Sequence, residues 1–149
     1  MKYECCDLFK IIPEEEIKRV FSCGTASAEL DYTFLAFEDV YKSILSFVPK
    51  GKIIIDLGCA YAPQAYYFED YLGYIGVDVK IPDVHFITSN MSLYEMSIQQ
   101  FCLKVIEENW NLEKYFAICS YVPDDDARKC VRETFHNCLV YYPCREQIS

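Results

Sequence analysis

Two short stretches hold the residues best suited to chemistry. The first is Asp56-Leu57-Gly58-Cys59-Ala60-Tyr61-Ala62. The second is Gly76-Val77-Asp78, which puts a carboxylate twenty residues beyond Gly58. A glycine or other small residue lets backbone come close to a ligand. A carboxylate accepts hydrogen bonds from vicinal hydroxyls. An acid at that spacing ends a second strand and can reach a ribose laid over the first turn. Each residue also has a plainer reading. Asp56 could hold nearby backbone amides, Gly58 could allow tight strand-to-helix packing, and Asp78 could be a turn residue ahead of Lys80 and Pro82. Cys59 sits where a helix N-terminus could activate a thiol, but a buried, inert thiol fits its apolar setting better.

Other reactive types give less. Nine cysteines occur without any CxxC pair, and there are two histidines, His85 and His136. The nearest approach to a metal set is His136, Cys138 and Cys144, which lacks zinc-site spacing. No metal site is expected. Most cysteines lie in apolar runs such as Ala117-Ile118-Cys119, as small buried residues do in a reducing, cytoplasmic compartment. Asp124, Asp125 and Asp126 read as the acidic first turn of a helix.

These residues need elements to hold them. At 149 residues, 52% hydrophobic and 25% charged, the chain suits one packed domain. A formal charge of −9 argues against a nucleic-acid partner, which needs a basic face. No apolar run nears the roughly 20 residues of a bilayer span, and Met1-Lys2-Tyr3-Glu4 does not open a secretory signal, so no membrane partner is expected. Pro13-Glu14-Glu15-Glu16 opens a short helix, and helical spacing recurs from about 28 to 47 until Pro49-Lys50-Gly51 stops it. The pattern then changes. Residues 52–57 form a continuous apolar strand, 64–72 a short helix and 74–79 a second strand. Residues 84–88 make a third strand, 97–110 a helix, 115–122 a fourth strand, 124–135 a helix and 138–142 a fifth strand. Strands that are buried on both faces and alternate with helices indicate a parallel sheet. The expected fold is α/β: a three-layer, Rossmann-like open sheet of about five mainly parallel strands flanked by helices. Residues 1–149 make one domain, with N-terminal helices in 1–50 and the sheet in 52–143.

In element order from 30 to 143, and most specifically from 53 to 79, the chain resembles the class I S-adenosylmethionine-dependent methyltransferases. The resemblance rests on Phe47-Val48-Pro49-Lys50-Gly51-Lys52, Ile53-Ile54-Ile55-Asp56-Leu57-Gly58-Cys59 and Tyr74-Ile75-Gly76-Val77-Asp78. It implies that S-adenosylmethionine or S-adenosylhomocysteine binds over residues 56–62 and 78. Asp56 and Gly58 would lie under the methionine part and Asp78 at the ribose, with Ala60 and Tyr61 also among the cofactor-binding residues. Asn90 and Met91 would flank the adenine, with Ser120 near the reacting end. Ser120-Tyr121-Val122-Pro123 occupies the position of the family's substrate and catalytic groups. Three departures keep other readings open. Ala60 and Ala62 replace two glycines of the family's D-x-G-x-G-x-G turn, no catalytic base stands at 119–123, and the last two strands of the family are missing. The chain could be an active methyltransferase of a small molecule or protein. It could be a non-catalytic binding or partner module of the same fold, or another adenosine-nucleotide binder. The fifth strand, uncharged from Asn137 to Pro143, should then be a sheet edge, closed by a homodimer or by segment 1–24.

Overall fold

A computed structural model describes residues 2, 3, 45, 48–59, 63–81, 90–120 and 122–141. Six parallel strands make one sheet: β1 (Lys2–Tyr3), β2 (Ile53–Leu57), β3 (Gly73–Asp78), β4 (Met91–Glu95), β5 (Tyr115–Ser120) and β6 (Cys138–Tyr141), in the order β1-β6-β5-β2-β3-β4. Five of them form the expected open α/β sheet and β1 adds two residues at its edge. The expected strand at 84–88 lies outside the described residues, as do the expected helices between 13 and 47, save Leu45, which is helical. The strand beside β3 is Met91–Glu95, in register Tyr74 to Met91 and Asp78 to Glu95.

Strand order reverses at β2. The chain moves outward through β3 and β4, then returns to β5 on the other side of β2. Opposite directions of travel put right-handed crossovers on opposite faces of a sheet. The contacts follow that rule. Helix α1 (Ile98–Glu107) and helix α2 (Asp125–Thr134) pack with Ile55, Leu57, Val77, Ala117, Cys119, Cys138 and Val140. The short 3-10 helix Pro63–Phe68 serves the other face, where Phe68 stacks on Tyr74 with ring centroids 6.3 Å apart.

The helices form where the sequence starts them. Ser97 caps α1 in a capping box: its Oγ accepts from the Gln100 amide at 3.0 Å, and Gln100 Oε1 accepts from the Ser97 amide at 2.9 Å. Ile98, Phe101, Cys102 and Val105 then fall on one face at 3.6-residue spacing and are buried. Phe101 is held edge-on by Trp110, with centroids 5.5 Å apart. Each such side chain contributes roughly 1.5–3 kcal/mol by leaving water. Asp124 caps α2 as its sequence suggests, accepting from the Asp126 amide at 2.9 Å.

Strand β6 is not the bare edge that was expected. Lys2 and Tyr3 of β1 pair with Cys138 and Leu139, so the N-terminal arm covers that stretch. This removes the ground for a homodimer through those residues.

Candidate functional site

A crevice of about 340 Å³ lies at the carboxyl ends of the strands, where their order reverses. Its walls come from Gly58 after β2, Asp78 and Val79 at the end of β3, Ser97 to Gln99 at the start of α1, and Val122 to Asp124 with Ala127 at the start of α2. The volume sits at the lower end of the roughly 300–1,000 Å³ range of ligand pockets.

Gly58 is built for its place. Its φ is +87°, a left-handed geometry that costs side-chain-bearing residues roughly 1–2 kcal/mol. A Cβ there would also stand 2.8 Å from Val122 Cγ2. The Gly58 and Cys59 amides both donate to Val77 O, at 2.7 and 3.1 Å. This fixes the first part of the turn against β3 and brings Gly58 into the crevice that Asp78 lines. The two residues singled out by spacing therefore meet. Asp78 is also tied to the next strand, because its carbonyl accepts from the Met96 amide at 2.9 Å. Ala60, Tyr61 and Tyr121 lie outside the described residues.

Asp56 stands elsewhere. Strand alternation turns it to the face opposite Leu57, away from α1 and α2. It is 1% exposed and accepts a hydrogen bond from Tyr74 Oη on the neighbouring strand. Among the described residues it is not a wall of the crevice. Its carboxylate belongs to the sheet interior, and the expectation that it lines the cofactor crevice is corrected on that ground.

Ser120 ends β5 on the same face as Asp56 by register. It is 5% exposed, and among the described residues its Oγ has no hydrogen-bond partner and it is not part of the crevice wall. The residues after it, Val122 and Pro123, do line the crevice.

Asn90 and Met91 are displaced by the length of a strand. Because β4 begins at Met91, both lie at the amino edge of the sheet, opposite the crevice. Asn90 Nδ2 donates to the Tyr71 carbonyl at 3.1 Å and to that of Glu69 at 3.3 Å. The residues that follow the strand are Met96 and Ser97. Val79, Ser97, Ile98, Gln99, Asp124 and Ala127 are wall residues that sequence reasoning did not place at the site. The Ser97-to-Gln100 spacing ahead of an apolar run is the signal that could have marked this helix start.

Cys59 is 1% exposed. Burial first, then the Asp56 and Asp78 carboxylates, push its thiol far above the ordinary range, so it is protonated and inert. Burial likewise pushes Cys119 up to about 12. His136 pairs with Glu113 at 3.0 Å on the surface. Among the described residues no three His, Cys, Asp or Glu side chains are grouped to hold a metal ion, and no helix is long and apolar enough to cross a membrane.

In comparisons with known proteins, no family model matches the chain, and no curated protein or solved structure matches it.

Proposed function

We propose that the chain binds S-adenosylmethionine in this crevice and transfers its methyl group to a small molecule or a protein. The observation that carries the reading is the meeting of Gly58 and Asp78 on one crevice at the reversal of strand order. Ribose hydroxyls would donate to Asp78, while the lack of a Cβ at Gly58 leaves room for the chain between ribose and methionine. The adenine would lie against Ile98 at the start of α1. In the transfer, a lone pair of the acceptor takes the methyl carbon as the carbon–sulfur bond breaks. The bond electrons stay on sulfur and leave S-adenosylhomocysteine. The protein's part is to position the reactants and exclude water.

Among the described residues, the start of the turn disfavours a dinucleotide. Pyrophosphate sites use free backbone amides after the first strand. The Gly58 and Cys59 amides are both engaged by Val77 O. One observation favours a second reading, a module that binds the same ligand without transfer. Among the described residues of the wall there is no Lys, His, Tyr or Cys to act as a base or nucleophile. Five described cysteines, Cys59, Cys102, Cys119, Cys130 and Cys138, are in no disulfide, which supports a reducing, cytoplasmic setting as part of the proposal.

Calorimetric titration with S-adenosylmethionine, S-adenosylhomocysteine and NAD tests the reading. Heat with the first two and none with NAD is expected. Binding of NAD alone would overturn it. Release of S-adenosylhomocysteine on adding candidate acceptors separates transfer from simple binding.

A further inference from the structure

We infer that Ser120 is a binding residue whose buried hydroxyl the fold leaves unpaired, at a cost in stability, for the amino-acid end of the bound ligand. The inference rests on the reading above and adds a contact beyond the crevice wall.

Burial sets this hydroxyl apart. Three polar side chains are buried among the described residues: Asp56, Ser120 and Thr134. Asp56 accepts from Tyr74 Oη, and the Thr134 hydroxyl hydrogen-bonds the Cys102 thiol. Ser120 Oγ is shut off from water, and among the described residues it has no such partner. A hydroxyl in that position gives up its bonds to water and gains none in return. An alanine would serve the fold better.

Its place points to the ligand. Strands β2 and β5 run in register from Ile53 with Tyr115 to Leu57 with Cys119, so the next level sets Gly58 beside Ser120. On the other side of β2, Leu57 pairs with Val77, so the same level sets Gly58 beside Asp78. Ser120, Gly58 and Asp78 therefore follow one another along the carboxyl edge in the order β5-β2-β3. At the ordinary strand spacing the row from Ser120 to Asp78 is about 10 Å long. Ser120 and Gly58 border the gap where strand order reverses and the crossovers part to opposite faces. Alternation turns Asp78 and Ser120 to the same side, and Asp78 at this last level already lines the crevice. Val122, two residues beyond Ser120, lies over Gly58 and lines it too.

A ribose held at Asp78 sends the rest of the ligand along this row. The chain through sulfur crosses Gly58, where no Cβ stands, and the amino-acid end arrives at Ser120. A hydroxyl suits that end, because it accepts from an ammonium or donates to a carboxylate. Hydrogen bonds to a charged group are roughly twice as strong as neutral ones. Binding then restores what the hydroxyl loses in the fold.

The test compares stability with affinity in Ser120→Ala. Thermal unfolding is followed without ligand. Calorimetry is run with S-adenosylmethionine, S-adenosylhomocysteine and 5′-methylthioadenosine, which keeps adenine, ribose and sulfur but has no amino-acid end. The substitution should raise the melting temperature by about 3–6 °C. It should weaken S-adenosylmethionine and S-adenosylhomocysteine about tenfold and 5′-methylthioadenosine by at most about twofold. Ser120→Cys, close in size to serine but a weak hydrogen-bonding group, should move every readout the same way. A melting temperature that stays or falls in both variants means that the hydroxyl is already paired within the protein, and overturns the inference. So does an unchanged affinity for S-adenosylmethionine, or an equal loss on all three ligands. These results leave the proposed function standing. A wild type that binds none of the three overturns the proposed function and this inference together.

Discussion

The two ends of the sheet are made from the same strands, yet they treat their polar groups differently. At the amino edge, side chains close the fold on itself. Asn90 bonds two carbonyls, Lys52 Nζ donates to the Glu113 carbonyl at 2.5 Å, and Glu113 pairs with His136. At the carboxyl edge, Gly58 bends left-handed under Val122, two helices begin, and a crevice is left between them. The difference follows from strand direction. Parallel strands bring every helix start to one edge, and the crossovers part there at the strand reversal.

The contrast can be broken most forcefully at glycines. Gly58→Ala combines a positive φ with a contact no Cβ tolerates, and should cost about 2–4 kcal/mol in urea unfolding. Gly51→Ala, where a Cβ meets nothing within 4 Å, should stay within about 0.5 kcal/mol. Equal effects would show that the turn at Gly58 is not as constrained as described.

Asn90→Ala sharpens the comparison from the other edge. Losing its bonds to the carbonyls of Glu69 and Tyr71 should cost about 1–2 kcal/mol of stability. Ligand affinity should not change. A tenfold loss of affinity at unchanged stability would return Asn90 to the site.

The smallest effect is one of pH. The hydrogen bond from His136, first, holds the Glu113 carboxyl below its ordinary value. A depressed acid stabilises the fold fully above its ordinary value, about 4.3, and the contribution disappears as pH falls through the folded one. Glu113→Gln should therefore lower the melting temperature slightly at pH 7 and not at all near pH 2.5. Both groups are exposed, so the difference is small. A difference that grows in acid would contradict the sign.

The sequence made the central strands legible for a physical reason. Ile53–Leu57, Tyr115–Ser120 and Cys138–Val140 are almost wholly buried on both sides and read as unbroken apolar runs. Met91–Glu95 did not stand out because it is an outer strand with Ser92 and Glu95 exposed. Missing it carried Asn90 and Met91 to the wrong end of the sheet. The pairing of Gly58 with Asp78 was legible because spacing across a strand-helix-strand unit fixes which ends meet. The side taken by Asp56 was not, since a strand buried on both faces gives no alternation to read. Two residues, Lys2 and Tyr3, were too few to announce the strand that covers β6.

The central claim is that Asp78 receives a ribose in the crevice it shares with Gly58. Titration of S-adenosylmethionine into wild type and Asp78→Ala measures this most directly. A carboxylate lost from such a hydrogen bond should cost roughly 1.5–3 kcal/mol, a ten- to hundredfold weaker dissociation constant. Equal affinity in the two proteins, or no binding of any adenosine ligand by the wild type, would contradict the account.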